Sequence, residues 1–90
     1  MEVLSDLDKH VLAWARDDFE TPSSIVANVS LDLGRPVTER EVLGSFVRLA
    51  QLGLVQAFQY ESTARQYSPV SPTIVGSLAE PWFMATASSS

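Results

Sequence analysis

Apolar positions in the first half of the chain recur every three or four residues, and strand-forming residues follow them. Leu4, Leu7, Val11, Trp14 and Ala15 fall on one face of a first helix. Ser5 can cap its start, and Asp8 three residues later makes a weak reciprocal capping box. Asp17-Asp18 ends this helix, and Phe19 opens a very short extended segment. Thr21 as cap and Pro22 at the first helical position start a second helix with a buried stripe of Ile25, Val26, Val29 and Leu33. Gly34 ends it by accepting the left-handed conformation, and Pro36 forbids direct continuation. Thr38 with Glu41 is a further capping box, opening a third helix whose core face is Val42, Leu43, Phe46, Leu49 and Ala50. Gly53 stops it.

The period then changes. Leu54 to Tyr60 is rich in strand formers, Glu61 to Ala64 is polar, and Arg65 to Val70 reads as a returning strand stopped by Pro69 and Pro72. A short turn would bring Phe58 and Tyr67 roughly opposite each other, a favourable aromatic pair. Ser71-Pro72 opens a last short helix with Ile74, Val75 and Leu78. Beyond Glu80-Pro81 come Trp82, Phe83 and Met84 and the small polar end ATASSS. The pattern therefore predicts an α+β, mainly α, domain over residues 1–80 and a tail over 81–90 that docks or is partly disordered.

Composition narrows the choices. Ninety residues fit one small domain with one core, and 46% hydrophobic with 19% charged residues is a globular balance. Without cysteine there are no disulfides and no thiolate metal sites. The start MEVLSDLDKH lacks the basic residues and apolar run of a signal peptide, and no apolar run approaches a membrane span, so the expectation is a soluble cytoplasmic protein with no membrane contact. The formal net charge of −5 disfavours nucleic acid, but it is unevenly placed. Lys9 and Arg16 face seven carboxylates within residues 1–34, whereas Arg35, Arg40, Arg48 and Arg65 face Glu39, Glu41 and Glu61 within residues 35–68.

The order helix, very short strand, helix, turn, helix, hairpin is that of a winged helix-turn-helix. The chain resembles that family directly, and within it the PadR-like and MarR-like transcriptional regulators. The residues that carry the resemblance are Phe46, Leu49, Gly53, Leu54 and Val55, where the family's recognition helix gives way to the first wing strand, and Tyr67 before Ser68-Pro69 at the wing's end. The resemblance implies a three-helix core with a β-hairpin wing. It also implies DNA binding in transcription regulation, with the third helix in the major groove, and a dimer.

On that reading Thr38, Arg40, Ser45, Arg48 and Arg65 carry the contact to double-stranded DNA. Glu41 stands where family members often have Thr or Ser, and Gly44 where they often have a basic residue; both departures weaken the grip. The alternative is a winged-helix protein-interaction module that has lost DNA binding. Its candidate surface is Leu52, where the family usually has a charged residue, together with Trp82, Phe83 and Met84. Those last three fold back onto the first helix, form a homodimer seam or dock a protein partner. His10 is read as a solvated side chain, Trp14 as core, and Asp17, Asp18 and Glu20 as a solvated turn lacking the glycine and alternating ligands of a calcium loop. With no nucleophile elbow, phosphate loop or metal-ligand spacing, no enzyme, no catalytic residue, no metal and no cofactor is expected.

Overall fold

A computed structural model describes residues 4–16 and 18–86; Asp17 and residues 87–90 of the tail lie outside them. The elements are α1 (Asp6–Trp14), α2 (Pro22–Leu33), α3 (Glu39–Gln51), β1 (Val55–Glu61), β2 (Gln66–Val70), the 3₁₀ helix η1 (Pro72–Ser77) and β3 (Trp82–Ala85). The result is an α+β fold, three helices followed by a three-stranded antiparallel sheet in the order β2-β1-β3. No helix among the described residues is long and apolar enough to cross a membrane.

Each helix starts on a reciprocal capping box: Ser5 with Asp8, Thr21 with Ser24, and Thr38 with Glu41. In each, the cap hydroxyl accepts an N–H that the first helical turn would otherwise leave unpaired. α1 stops at Trp14, three residues short of the Asp17-Asp18 pair taken as its end. α2 ends as its glycine demands, with Gly34 at φ 70°. Ser30 then fixes the connection to α3. Its hydroxyl donates to the Val26 carbonyl at 2.7 Å and accepts the Val37 N–H at 3.0 Å, so one side chain ties the end of α2 to the approach to α3.

The sheet departs most from the hydrophobic pattern. The hairpin is joined by a four-residue turn, Ser62 to Arg65, with Arg65 in the left-handed region at φ 53°. Its register pairs Tyr60 with Tyr67 and Phe58 with Pro69, two residues away from a direct Phe58–Tyr67 pair. The two rings still meet diagonally, edge to face at 6.4 Å. On the other side of β1 lies β3, made from the Trp82–Phe83–Met84 stretch that the pattern leaves in the tail. This strand is doubly anchored. It pairs with β1, and Phe83 exchanges two backbone hydrogen bonds of 2.8 Å with Glu20 in the α1–α2 connection. Its last residue and the one after it continue the anchoring, with Ala85 N–H on the Ala15 carbonyl and Thr86 N–H on the Leu54 carbonyl.

The two faces of the sheet differ in kind. Val55, Ala57 and Phe83 turn inward and join Val11, Ala15, Ile25, Val29, Val42, Phe46, Leu49 and Val75 in the core. At its centre the rings of Phe46 and Phe83 stack with centroids 4.2 Å apart. The outward face carries Phe58, Tyr60, Tyr67 and Trp82, with Phe19 from the α1–α2 connection laid over it, stacked on Tyr67 at 3.8 Å and edge-on to Phe58 at 5.0 Å. A four-residue strand thus closes the core from the end of the described chain. Truncating the buried phenylalanine, Phe83→Ala, should cost about 3–5 kcal/mol in urea unfolding. Met84→Ala, on the half-buried face of the same strand, should cost less than half as much. Similar costs for the two would show that β3 does not dock through Phe83.

Candidate functional site

The third helix is where base or partner recognition was expected, and its neighbours decide which side chains are free. Along one edge it meets α1. Asp8 of α1 is only 2% exposed, yet it lies on the buried face between Leu7 and Val11. A carboxylate taken out of water must be neutralised or surrounded by donors. Here Ser45 Oγ donates to Asp8 Oδ1 at 2.6 Å, and Arg48 donates twice, from Nε to Oδ2 at 3.0 Å and from Nη2 to Oδ1. The backbone N–H of Ser5 donates to Oδ2 at 3.2 Å and completes the set. Burial pushes the Asp8 carboxyl up, but the Arg48, Ser45 and Ser5 hydrogen bonds outweigh it and hold the group at about 2. The same contact raises the Arg48 guanidinium above its ordinary value.

This arrangement settles the position of two of the five expected DNA contacts. Ser45 is fully buried, its hydroxyl spent on Asp8. Arg48 is half exposed along its side chain, but its guanidinium fork is committed to the Asp8 carboxylate. Neither faces outward as a DNA contact must: the edge of α3 that carries them packs against α1. Thr38 is the cap of α3, and its hydroxyl accepts the Glu41 N–H at 3.1 Å. Glu41 in turn accepts the Thr38 N–H, the first cause holding its carboxyl below the usual range, and pairs with Arg35 at 3.5 Å. That ion pair lies in solvent and contributes little to stability. Arg40 and Arg65 remain exposed, and neither side chain forms a hydrogen bond or ion pair among the described residues.

The candidate protein-docking residues also divide. Phe83 is fully buried in the core and closed to any partner. Trp82 and Met84 are half-buried on the outward face of the sheet, and Leu52 is half-buried as the last residue of the α3 end. Trp14, expected in the core, is 38% exposed and donates its indole N–H to Asp32 at 2.8 Å. His10, expected in open solvent, has Nδ1 3.5 Å from the same Asp32 oxygen. No group of three possible metal ligands occurs among the described residues.

Two hollows flank the segment that leads from η1 into β3. One, of about 280 Å³, lies among Thr21, Pro22, Glu39, Arg40, Val75 and Pro81, so the first turns of α2 and α3 share it with the 75–81 segment. The other, of about 320 Å³, lies between the end of β1 and the start of β3, lined by Gln59, Tyr60, Leu78, Ala79, Glu80 and Trp82. Leu78, Ala79 and Glu80 border both. No protein-family model, curated protein or solved structure matches the chain.

The Asp8 cluster makes a prediction whose sign follows from its direction. The carboxyl lies lower in the folded state than its ordinary 3.8, so its contribution is complete above that value and is lost as pH falls from about 4 to about 2. The contribution at neutral pH is on the order of 2 kcal/mol. Asp8→Asn should lose about this much at pH 7, and the gap to the unsubstituted chain should narrow as pH falls through that window. Chemical unfolding at a series of pH values measures both; parallel curves for the two proteins would show that Asp8 is not held as described.

Proposed function

We propose that the chain is a winged-helix protein-interaction module rather than a reader of duplex DNA. The helix-turn-helix made by α2 and α3, followed at once by the β1–β2 hairpin, supports the winged-helix part of this reading. The departure from DNA reading rests on one observation, the capture of Arg48 and Ser45 by Asp8. A recognition helix grips through cations and small hydrogen-bonding side chains on its outer face. On α3 that leaves Arg40, flanked by Glu39 and Glu41, with Arg65 at the hairpin turn as the second cation of the region without an ion pair among the described residues.

Charge arithmetic makes the difference quantitative. Each phosphate contact contributes about 0.9 to the slope of affinity against salt, and DNA-binding proteins commonly make six to ten of them, by rough count. The two arginines of this region without an ion pair among the described residues, on a chain of net charge −5, fall well short. Fluorescence anisotropy with a labelled random duplex, at about 50 and 200 mM salt, tests this directly. The expected outcome is no saturable binding at the lower salt up to about 10⁻⁴ M protein, weaker than ordinary non-specific association. Saturable binding that falls steeply with salt would overturn the proposal and restore the duplex-reading alternative through Arg40 and Arg65.

A further inference from the structure

We infer that the hollow framed by Tyr60, Trp82 and Glu80 receives a cationic side chain, lysine or arginine, from a partner protein. This names the partner chemistry for the interaction-module reading and rests on it. At about 320 Å³ the hollow is at the small end of ligand-sized clefts, room for one side chain rather than a cofactor. Its aromatic walls come from two strands, Tyr60 near the end of β1 and Trp82 at the start of β3. Both rings are braced by one neighbour: Tyr67 lies 5.0 Å from Tyr60, tilted by 56°, and 5.3 Å from Trp82, nearly perpendicular at 77°. The walls are therefore held in place before anything enters, which lowers the ordering cost of binding.

Charge selects the guest. Aromatic faces carry negative potential and attract ammonium or guanidinium groups, most strongly when a carboxylate stands beside them. Glu80 supplies that carboxylate. It is exposed and forms no ion pair among the described residues. No lysine or arginine lines this hollow, whereas Arg40 lines the one on the far side of the Leu78–Glu80 segment. Tyr60 is 42% exposed, so its ring is open to a guest from solvent. A lysine or arginine suits such a mixed site, with an aliphatic stem for the rings and Leu78 and a charged head for Glu80.

The test uses the whole chain and labelled nine-residue Gly-Ser peptides whose centre is Arg-Lys or two norleucines, read by anisotropy at about 50 mM salt. The cationic peptide should bind with a dissociation constant below about 1 mM, and the norleucine peptide at least tenfold more weakly. Glu80→Gln and Tyr60→Leu, both at exposed positions, should each weaken the cationic peptide about threefold or more, while Glu61→Gln beyond the hollow should leave it unchanged. Equal losses for Glu80→Gln and Glu61→Gln would reduce the effect to general acidity and overturn the site. So would equal binding of the two peptides, or no binding of either. The duplex titration separates the two failures: peptide silence without duplex binding removes this site alone, and peptide silence with salt-sensitive duplex binding removes the interaction reading as well.

Discussion

A carboxylate with almost no contact with water constrains everything around it, and here that carboxylate belongs to Asp8. Left alone it would be protonated or would open the domain, so the surroundings must supply donors on all sides. Ser5 does so from the cap of its own helix; Ser45 and Arg48 do so from α3, 37 and 40 residues away. The Ser45 and Arg48 contacts hold α3 against α1 through polar geometry as well as packing. They also decide what α3 can offer outward. A guanidinium fork directed at an internal carboxylate is no longer a free cation for phosphate, and a serine with no exposed surface reads no base. The same bonds that seat the helix thus take away the chemistry expected from it.

The second constraint comes from the other end of the described chain. Phe83 stacks on Phe46 of α3, while its backbone bonds to Glu20 and its strand pairs with β1. One residue therefore joins the central helix, the sheet and the α1–α2 connection. Because side chains alternate across a strand, burying Phe83 places Trp82 and Met84 on the opposite face. The outward aromatic surface is a geometric consequence of the inward anchor. It gives the sheet a second apolar side, covered in part by Phe19 and otherwise open.

Much of the framework was legible from residue pattern alone. The first and third helix starts follow from Ser5 and Thr38 placed three positions ahead of an acidic partner, the second from Thr21 ahead of Pro22, and Gly34 and Gly53 stop their helices at positive φ. The hairpin was legible from two strand-rich runs around a polar break. What the pattern did not yield are contacts between residues far apart in sequence. Asp8 sits inside the stripe Leu4, Leu7, Val11, and an acid there signals a buried partner, but nothing local says that the partner is Arg48. Likewise Trp82-Phe83-Met84 has the composition of a strand, but at three apolar residues it is too short for periodicity to separate a strand from a docking tail. Trp14 fits an apolar stripe by angle, yet its indole N–H favours the rim, where Asp32 can accept from it.

The winged-helix resemblance and the surface chemistry pull in different directions, and the weight belongs to the surface. A fold sets where a helix and a hairpin stand; it does not set what they touch. Sequence resemblance is carried here by residues such as Phe46, Leu49, Gly53 and Val55, which build the junction between α3 and β1 and are either buried or conformational. The residues that would distinguish a DNA reader are Thr38, Arg40, Ser45, Arg48 and Arg65. Of these, only Arg40 and Arg65 keep their polar groups uncommitted among the described residues. Meanwhile the net acidic balance works against a phosphate backbone, and the proposed cationic partner is drawn from that balance and from the aromatic side of the sheet with Glu80 at its margin. Both the closed edge of α3 and the open face of the sheet follow from buried residues, Asp8 in one case and Phe83 in the other.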